Sequence, residues 1–169
     1  MNISNAFANT VTTAMINLQA LKQFKETHYT RHLVFKSSNV EILVVCWRPG
    51  QGSPIHGHGP SDGLMLILEG EIVNTSYCAD GKKITTVWRA GDVGHTPVGD
   101  RHEVKNTSDQ DVVSLHIYAP PLNRELQGAD MGYHNNIIPK EVALPDSVIR
   151  YFLGTACEKV PLGMIDPGL

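Results

Sequence analysis

The sequence predicts an all-β protein: a mainly antiparallel double-sheet jelly roll or barrel in one domain, with a short helical segment packed outside its N-terminal end. Three observations carry that expectation. From Tyr29 to Tyr118 the chain is a series of short β-like runs separated by Gly, Pro, Asn and Asp. No helical stretch long enough for a βαβ crossover lies between Arg31 and Tyr118, so the sheet should be mainly antiparallel. With 169 residues, 41% of them hydrophobic, the chain is long enough for one real core.

Residues 1–28 form the segment outside the barrel. Val11, Ala14, Met15, Leu18, Leu21 and Phe24 recur at three-and-four spacing across residues 10–26, the rhythm of a helix with one apolar face, and Asn9 or Thr10 can cap it. Residues 29–169 form the barrel and its C-terminal extension. Expected strands are Thr30–Phe35, Glu41–Trp47, Leu64–Leu68, Glu71–Tyr77, Ile84–Trp88, His102–Lys105 and Val112–Tyr118. Turn signals at Arg48-Pro49-Gly50, Ala79-Asp80-Gly81, Ala90-Gly91-Asp92 and Pro97-Val98-Gly99-Asp100 punctuate them. The residues after Pro121, rich in Pro and Gly, read as a meandering cover with room for one more strand or hairpin.

Charge and cysteine content narrow the function. Fourteen basic against 17 acidic residues give a net charge of −3, which argues against a cationic nucleic-acid or membrane-surface binder. No apolar run approaches the ~18–20 residues of a membrane span, and no signal-peptide pattern opens the sequence. Three widely spaced cysteines, Cys46, Cys78 and Cys157, do not make a disulfide framework, so a reducing cytoplasm is the expected compartment. Cys46, inside an apolar run, reads as a buried small hydrophobe. A monomer acting on a small molecule is the expectation.

The chemistry lies in the histidines. His56 and His58 flank one glycine, so in extended backbone both imidazoles face one side and can reach one ion. His102 follows 44 positions later, just past the 97–101 turn, on a strand able to return beside the first pair. Three neutral imidazoles leave a divalent metal with open positions, as a catalytic site needs, although they do not by themselves choose between iron, nickel, manganese and zinc. A second pattern lies in Val112–Tyr118. Ser114, His116 and Tyr118 share one face of the strand and Val113, Leu115 and Ile117 the other, which aims a hydrogen-bonding row at a specific place. Tyr29 and Arg31 form another i, i+2 pair, and an arginine there can grip a carboxylate bidentately. His32 points away from Arg31 by strand parity, His95 is a weak candidate to line the barrel, and Trp47 and Trp88 read as core.

These residues resemble the cupin superfamily. Its first motif appears as Gly50, His56, His58, Gly63 and Gly70, its second as Gly91, Pro97, Gly99, His102 and Asn106. Tyr29-Thr30-Arg31, Cys46-Trp47 through His58, and Ser114 through Pro121 are similar to cysteine dioxygenase-like thiol dioxygenases, a resemblance covering roughly Tyr29 to Pro121. It implies Fe(II) on His56, His58 and His102, with Arg31 supported by Tyr29 on the substrate carboxylate. It also implies Tyr118 reaching substrate and oxygen while His116 and Ser114 hold it. The implied reaction adds O2 to a small thiol carboxylic acid, foremost L-cysteine, to give its sulfinic acid. Open alternatives are 3-mercaptopropionate or another mercapto acid as substrate, a cupin with another metal and reaction, or a binding cupin without turnover. Gly63 stands where cupins usually carry glutamate and where some dioxygenases carry a cysteine joined to the tyrosine. The resemblance therefore implies a free Tyr118 phenol, and a three-histidine ion with net positive charge that favours an anionic ligand. Asp62 and Glu69 are the nearby carboxylates that could substitute.

Overall fold

The computed structural model describes residues 21–78 and 80–123. Among these described residues, nine strands run in the order β1 (Thr30–Lys36), β2 (Glu41–Trp47), β3 (His56–Gly57), β4 (Asp62–Glu69), β5 (Glu71–Tyr77), β6 (Lys83–Arg89), β7 (Val93–Thr96), β8 (Arg101–Lys105) and β9 (Val112–Ala119). They pair antiparallel throughout, in a five-stranded sheet ordered β1-β2-β9-β4-β7 and a four-stranded sheet ordered β3-β8-β5-β6. The all-β, antiparallel expectation holds. The helical rhythm over residues 10–26 falls mostly outside the described residues. Within them only Leu21 is helical, so Phe24 lies past the helix rather than on it, yet still packs against the core. The cover after Pro121 is described only to Asn123.

Strand parity builds two cores on the two faces of the larger sheet. On β2 every residue is buried, because both faces are covered. Ile42, Val44 and Cys46 face one way and join Val34, Leu64, Leu66, Val113, Leu115 and Ile117, with Leu21 and Phe24 packed on that face. Leu43, Val45 and Trp47 face the other way and join Met65, Ile67 and Tyr118, together with Ile72 of β5 and Val104 of β8. That second cluster is the space between the sheets, the barrel interior. Each fully buried aliphatic side chain contributes about 1.5–3 kcal/mol of burial, which is why the Val113-Leu115-Ile117 row fixes which way β9 faces. Ser114, His116 and Tyr118 are then turned inward.

A one-residue turn at Gly70 joins β4 to β5. Its φ of 77° suits glycine, and a Cβ there would stand 2.8 Å from the Asp111 carbonyl oxygen. The four-stranded sheet ends in an exposed edge strand, β6, where Ile84 and Val87 face solvent and alternation reports pairing without burial. Among the described residues, no helix is long and apolar enough to cross a membrane.

Candidate active site

The three motif histidines converge. On β3 and β8, His56 and His102 are cross-strand partners, so two positions far apart in sequence become neighbours through backbone pairing. His58 follows directly after β3. The three ring centroids lie 4.6–5.4 Å apart, and one nitrogen from each falls within 4.8 Å of the others. His58 Nε2 and His102 Nε2 are 3.2 Å apart, both aimed at one point. Metal–imidazole bonds of about 2.0–2.1 Å reach across such a separation. The outer nitrogens are set by partners. His102 Nδ1 donates to Asn74 Oδ1 at 2.8 Å and His56 Nδ1 to the Pro54 carbonyl at 2.9 Å, which leaves each Nε2 as an acceptor. His58 Nδ1 is buried with no hydrogen-bond partner among the described residues.

Electrostatics keep these imidazoles neutral, the form a metal binds. Burial pushes His58 down to about 4 and His102 to about 2, and neighbouring histidines add to both shifts. His56 is lowered by burial and, to a smaller degree, by the charges of Arg31 and Arg101. Three neutral nitrogen donors, with no acidic residue in their group among the described residues, fit a divalent transition metal.

Asp62 does not supply the missing carboxylate. It pairs instead with His95 Nε2 at 2.8 Å, and that bond also takes His95 away from the cluster. Glu69 pairs with Lys22. Gly63 is required sterically: a Cβ there would lie 2.6 Å from His58 Nδ1 and 3.4 Å from Tyr118 Cε1.

Beside the histidines lies a cavity of about 360 Å³, open mouth included, lined by Tyr29, Arg31, His56, His102, His116, Tyr118 and apolar side chains including Leu43, Val45 and Leu122. Among the described residues no acidic side chain lines it, and Arg31 is only 4% exposed. The Arg31 guanidinium carbon sits 5.8 Å from the centre of the Tyr29 ring, which stacks on Trp47 at 4.5 Å. From β9, Tyr118 Oη bonds His116 Nδ1 at 3.0 Å and His116 Nε2 bonds Ser114 Oγ at 2.9 Å. The Tyr118 ring meets His58 edge-on at 4.8 Å. Burial lowers His116 to about 3, so it too is neutral.

All eight residues singled out from the sequence thus gather here: His56, His58, His102, Tyr29, Arg31, Ser114, His116 and Tyr118. His32 lies elsewhere, near Thr30 Oγ1 and the Gln23 carbonyl, as parity requires. Sequence reasoning missed two members. Asn74 holds His102, and the signal was a polar residue at the inward parity of buried Ile72. Trp47, read only as core, also donates its indole N–H to Ser114 Oγ at 2.9 Å.

Comparison with known proteins finds cysteine dioxygenases among the relatives of this chain. Cysteine dioxygenase type 1 of Danio rerio is 27% identical over 135 residues, covering 68% of this chain and 63% of that protein. The Homo sapiens cysteine dioxygenase type 1 is 30% identical over 113 residues, covering 60% and 56%. The chain therefore spans about three-fifths of the length of these relatives. A Klebsiella pneumoniae protein with a double-stranded β-helix domain superposes with a TM-score of 0.57 at 18% identity, over 64% of this chain and 90% of that one, which supports the cupin fold. Residues 4–127 match the family described as cysteine dioxygenase type I, more than half of the chain, and the chain belongs to that family.

Proposed function

We propose that this chain is a thiol dioxygenase that uses Fe(II) and O2 to convert a small thiol carboxylic acid, foremost L-cysteine, to its sulfinic acid. One observation carries the reading: the three-histidine cluster, a buried arginine and a tyrosine-ended hydrogen-bond row open onto one small cavity. His56, His58 and His102 would hold the metal through Nε2. Fe(II), when bound, supplies positions where the thiol sulfur and O2 meet. Net, the thiol takes up both oxygen atoms of O2 and the sulfur is oxidised to RSO2H.

The chain's own residues do the rest. Arg31, buried at the cavity wall, offers a fixed cation to a carboxylate with two parallel N–H donors. Tyr29, under that guanidinium and stacked on Trp47, limits its movement. Tyr118 presents a phenol to the cavity, held by His116 and, behind it, Ser114. Leu43, Val45 and Leu122 exclude water from the remainder of the wall. Because Gly63 carries no side chain, Tyr118 remains an unmodified phenol, and its tryptic peptide runs at its linear mass.

The test is anaerobic loading with Fe(II), followed by oxygen uptake and sulfinate analysis over a panel of thiols. One O2 consumed per sulfinate formed, fastest with cysteine, is the expected result. Faster turnover of 3-mercaptopropionate moves the substrate to that mercapto acid. An iron-loaded protein that consumes no O2 with any thiol overturns the reading.

A further inference from the structure

We propose that Trp47 is a positioning residue for this site: its indole N–H fixes the direction of the protons along Ser114, His116 and Tyr118, so that Tyr118 keeps its hydroxyl proton for an acceptor other than His116. Trp47 Nε1 carries a proton and no lone pair, so at 2.9 Å it donates to Ser114 Oγ. Ser114 is fully buried, and its hydroxyl has two partners among the described residues, Trp47 and His116 Nε2. Only His116 Nε2 can accept the Ser114 proton. In the opposite direction, with His116 Nε2–H donating to Ser114, the hydroxyl proton would be buried without an acceptor, the costly arrangement.

The rest follows along the row. An accepting Nε2 puts the single proton of a neutral imidazole on Nδ1, which then donates to Tyr118 Oη at 3.0 Å. The phenol oxygen accepts from His116, so its own proton goes to an acceptor other than His116. Burial keeps His116 neutral, as this polarity requires. Tyr118 is thereby a donor directed away from His116, with Trp47, three hydrogen bonds back along the row, as the fixed end.

The kinetic consequence rests on the dioxygenase reading, but the tautomer does not, so it is read first in metal-free protein by nitrogen-15 NMR of labelled histidine. Wild-type His116 is expected as the Nδ1–H tautomer alone; an Nε2–H tautomer overturns the proposal, and that spectrum decides even where a variant folds poorly. Trp47→Phe keeps a ring against Tyr29 but frees Ser114 to accept from His116, so the Nε2–H form becomes populated; an unchanged tautomer overturns the role of Trp47. Ser114→Ala removes the indole's acceptor and shifts the Trp47 N–H resonance; an unmoved resonance refutes the contact. In the iron-loaded enzyme Trp47→Phe lowers kcat about tenfold, with KM within twofold. An unaltered kcat beside an altered tautomer refutes the catalytic consequence alone. Wild-type protein without thiol oxidation would refute the dioxygenase reading instead and leave the tautomer result standing.

Discussion

Replacing Asn74 tests the metal site through a residue that touches no metal. Its side-chain oxygen accepts from His102 Nδ1 at 2.8 Å, and its amide donates to Ser76 Oγ at 3.0 Å, in a position only 2% exposed. Asn74→Leu keeps the volume and removes the acceptor. His102 then has a buried N–H whose remaining partner among the described residues is Thr96 Oγ1 at 3.4 Å, too long to replace what was lost. Leaving such a donor unsatisfied costs about 1–3 kcal/mol. Loss of an outer partner of a metal-bound histidine typically weakens metal binding by about 10–100-fold, which is about 1.4–2.8 kcal/mol, so the two routes agree. The assay is anaerobic Fe(II) titration against a competing chelator, with circular dichroism to confirm the fold. Asn74→Asp, which keeps an oxygen acceptor, separates orientation from packing: it holds iron at least as tightly as wild type. Leu and Asp variants with wild-type affinity, both folded, would refute the idea that Asn74 orients His102.

Three further outcomes follow from the same geometry. Gly63→Ala drives a Cβ into the His58 ring; overpacking of about 1–3 kcal/mol, less the ~0.4–1 kcal/mol gained by stiffening the unfolded chain, lowers the unfolding midpoint by a few degrees and weakens iron binding, and an unchanged midpoint with unchanged iron affinity contradicts the contact at 2.6 Å. Arg31→Ala lowers kcat/KM for cysteine by roughly 10–150-fold, from about 1.5–3 kcal/mol for bonds to a charged group, and lowers it little for an aminothiol without a carboxylate; equal losses for both argue against a carboxylate grip. The pH dependence of the metal-free fold has a definite sign. His58, His102 and His116 have folded values near 4, 2 and 3, against 6.5 in the unfolded chain, all lowered first by burial. Below pH 6.5 the unfolded chain binds protons that the folded chain refuses, so stability falls with pH, by roughly 2 kcal/mol for each such histidine between 6.5 and 5. A urea midpoint at pH 5 equal to or above that at pH 7.5 contradicts neutral, buried histidines.

Much of this molecule was legible before its coordinates. Glu41–Trp47 and Glu71–Tyr77 matched the observed strands to the residue, because apolar runs and alternation there end at sharp turn signals. β7 was missed, and β3 was read only as an extended His56-Gly57-His58 stretch without strand bounds: four and two residues with a glycine in each carry too little alternation to read. Yet β3 is what pairs His56 with His102, so the convergence was visible only as spacing and as a family resemblance. Parity did find the inward row of Ser114, His116 and Tyr118, since Val113, Leu115 and Ile117 needed the other face. It could not find Asn74 or the N–H of Trp47, because a hydrogen bond between residues far apart leaves no periodic trace. The carboxylate question was also beyond sequence: Asp62 is adjacent to Gly63, but only the structure turns it to His95.

The central claim is that His56, His58 and His102 hold one iron between them, and metal stoichiometry tests it most directly. Anaerobically loaded and desalted wild-type protein should carry one Fe(II) per chain, and His56→Ala, His58→Ala and His102→Ala, each still folded, should lose it together with thiol-dependent O2 uptake. Full iron loading in any one of the three variants would contradict the account.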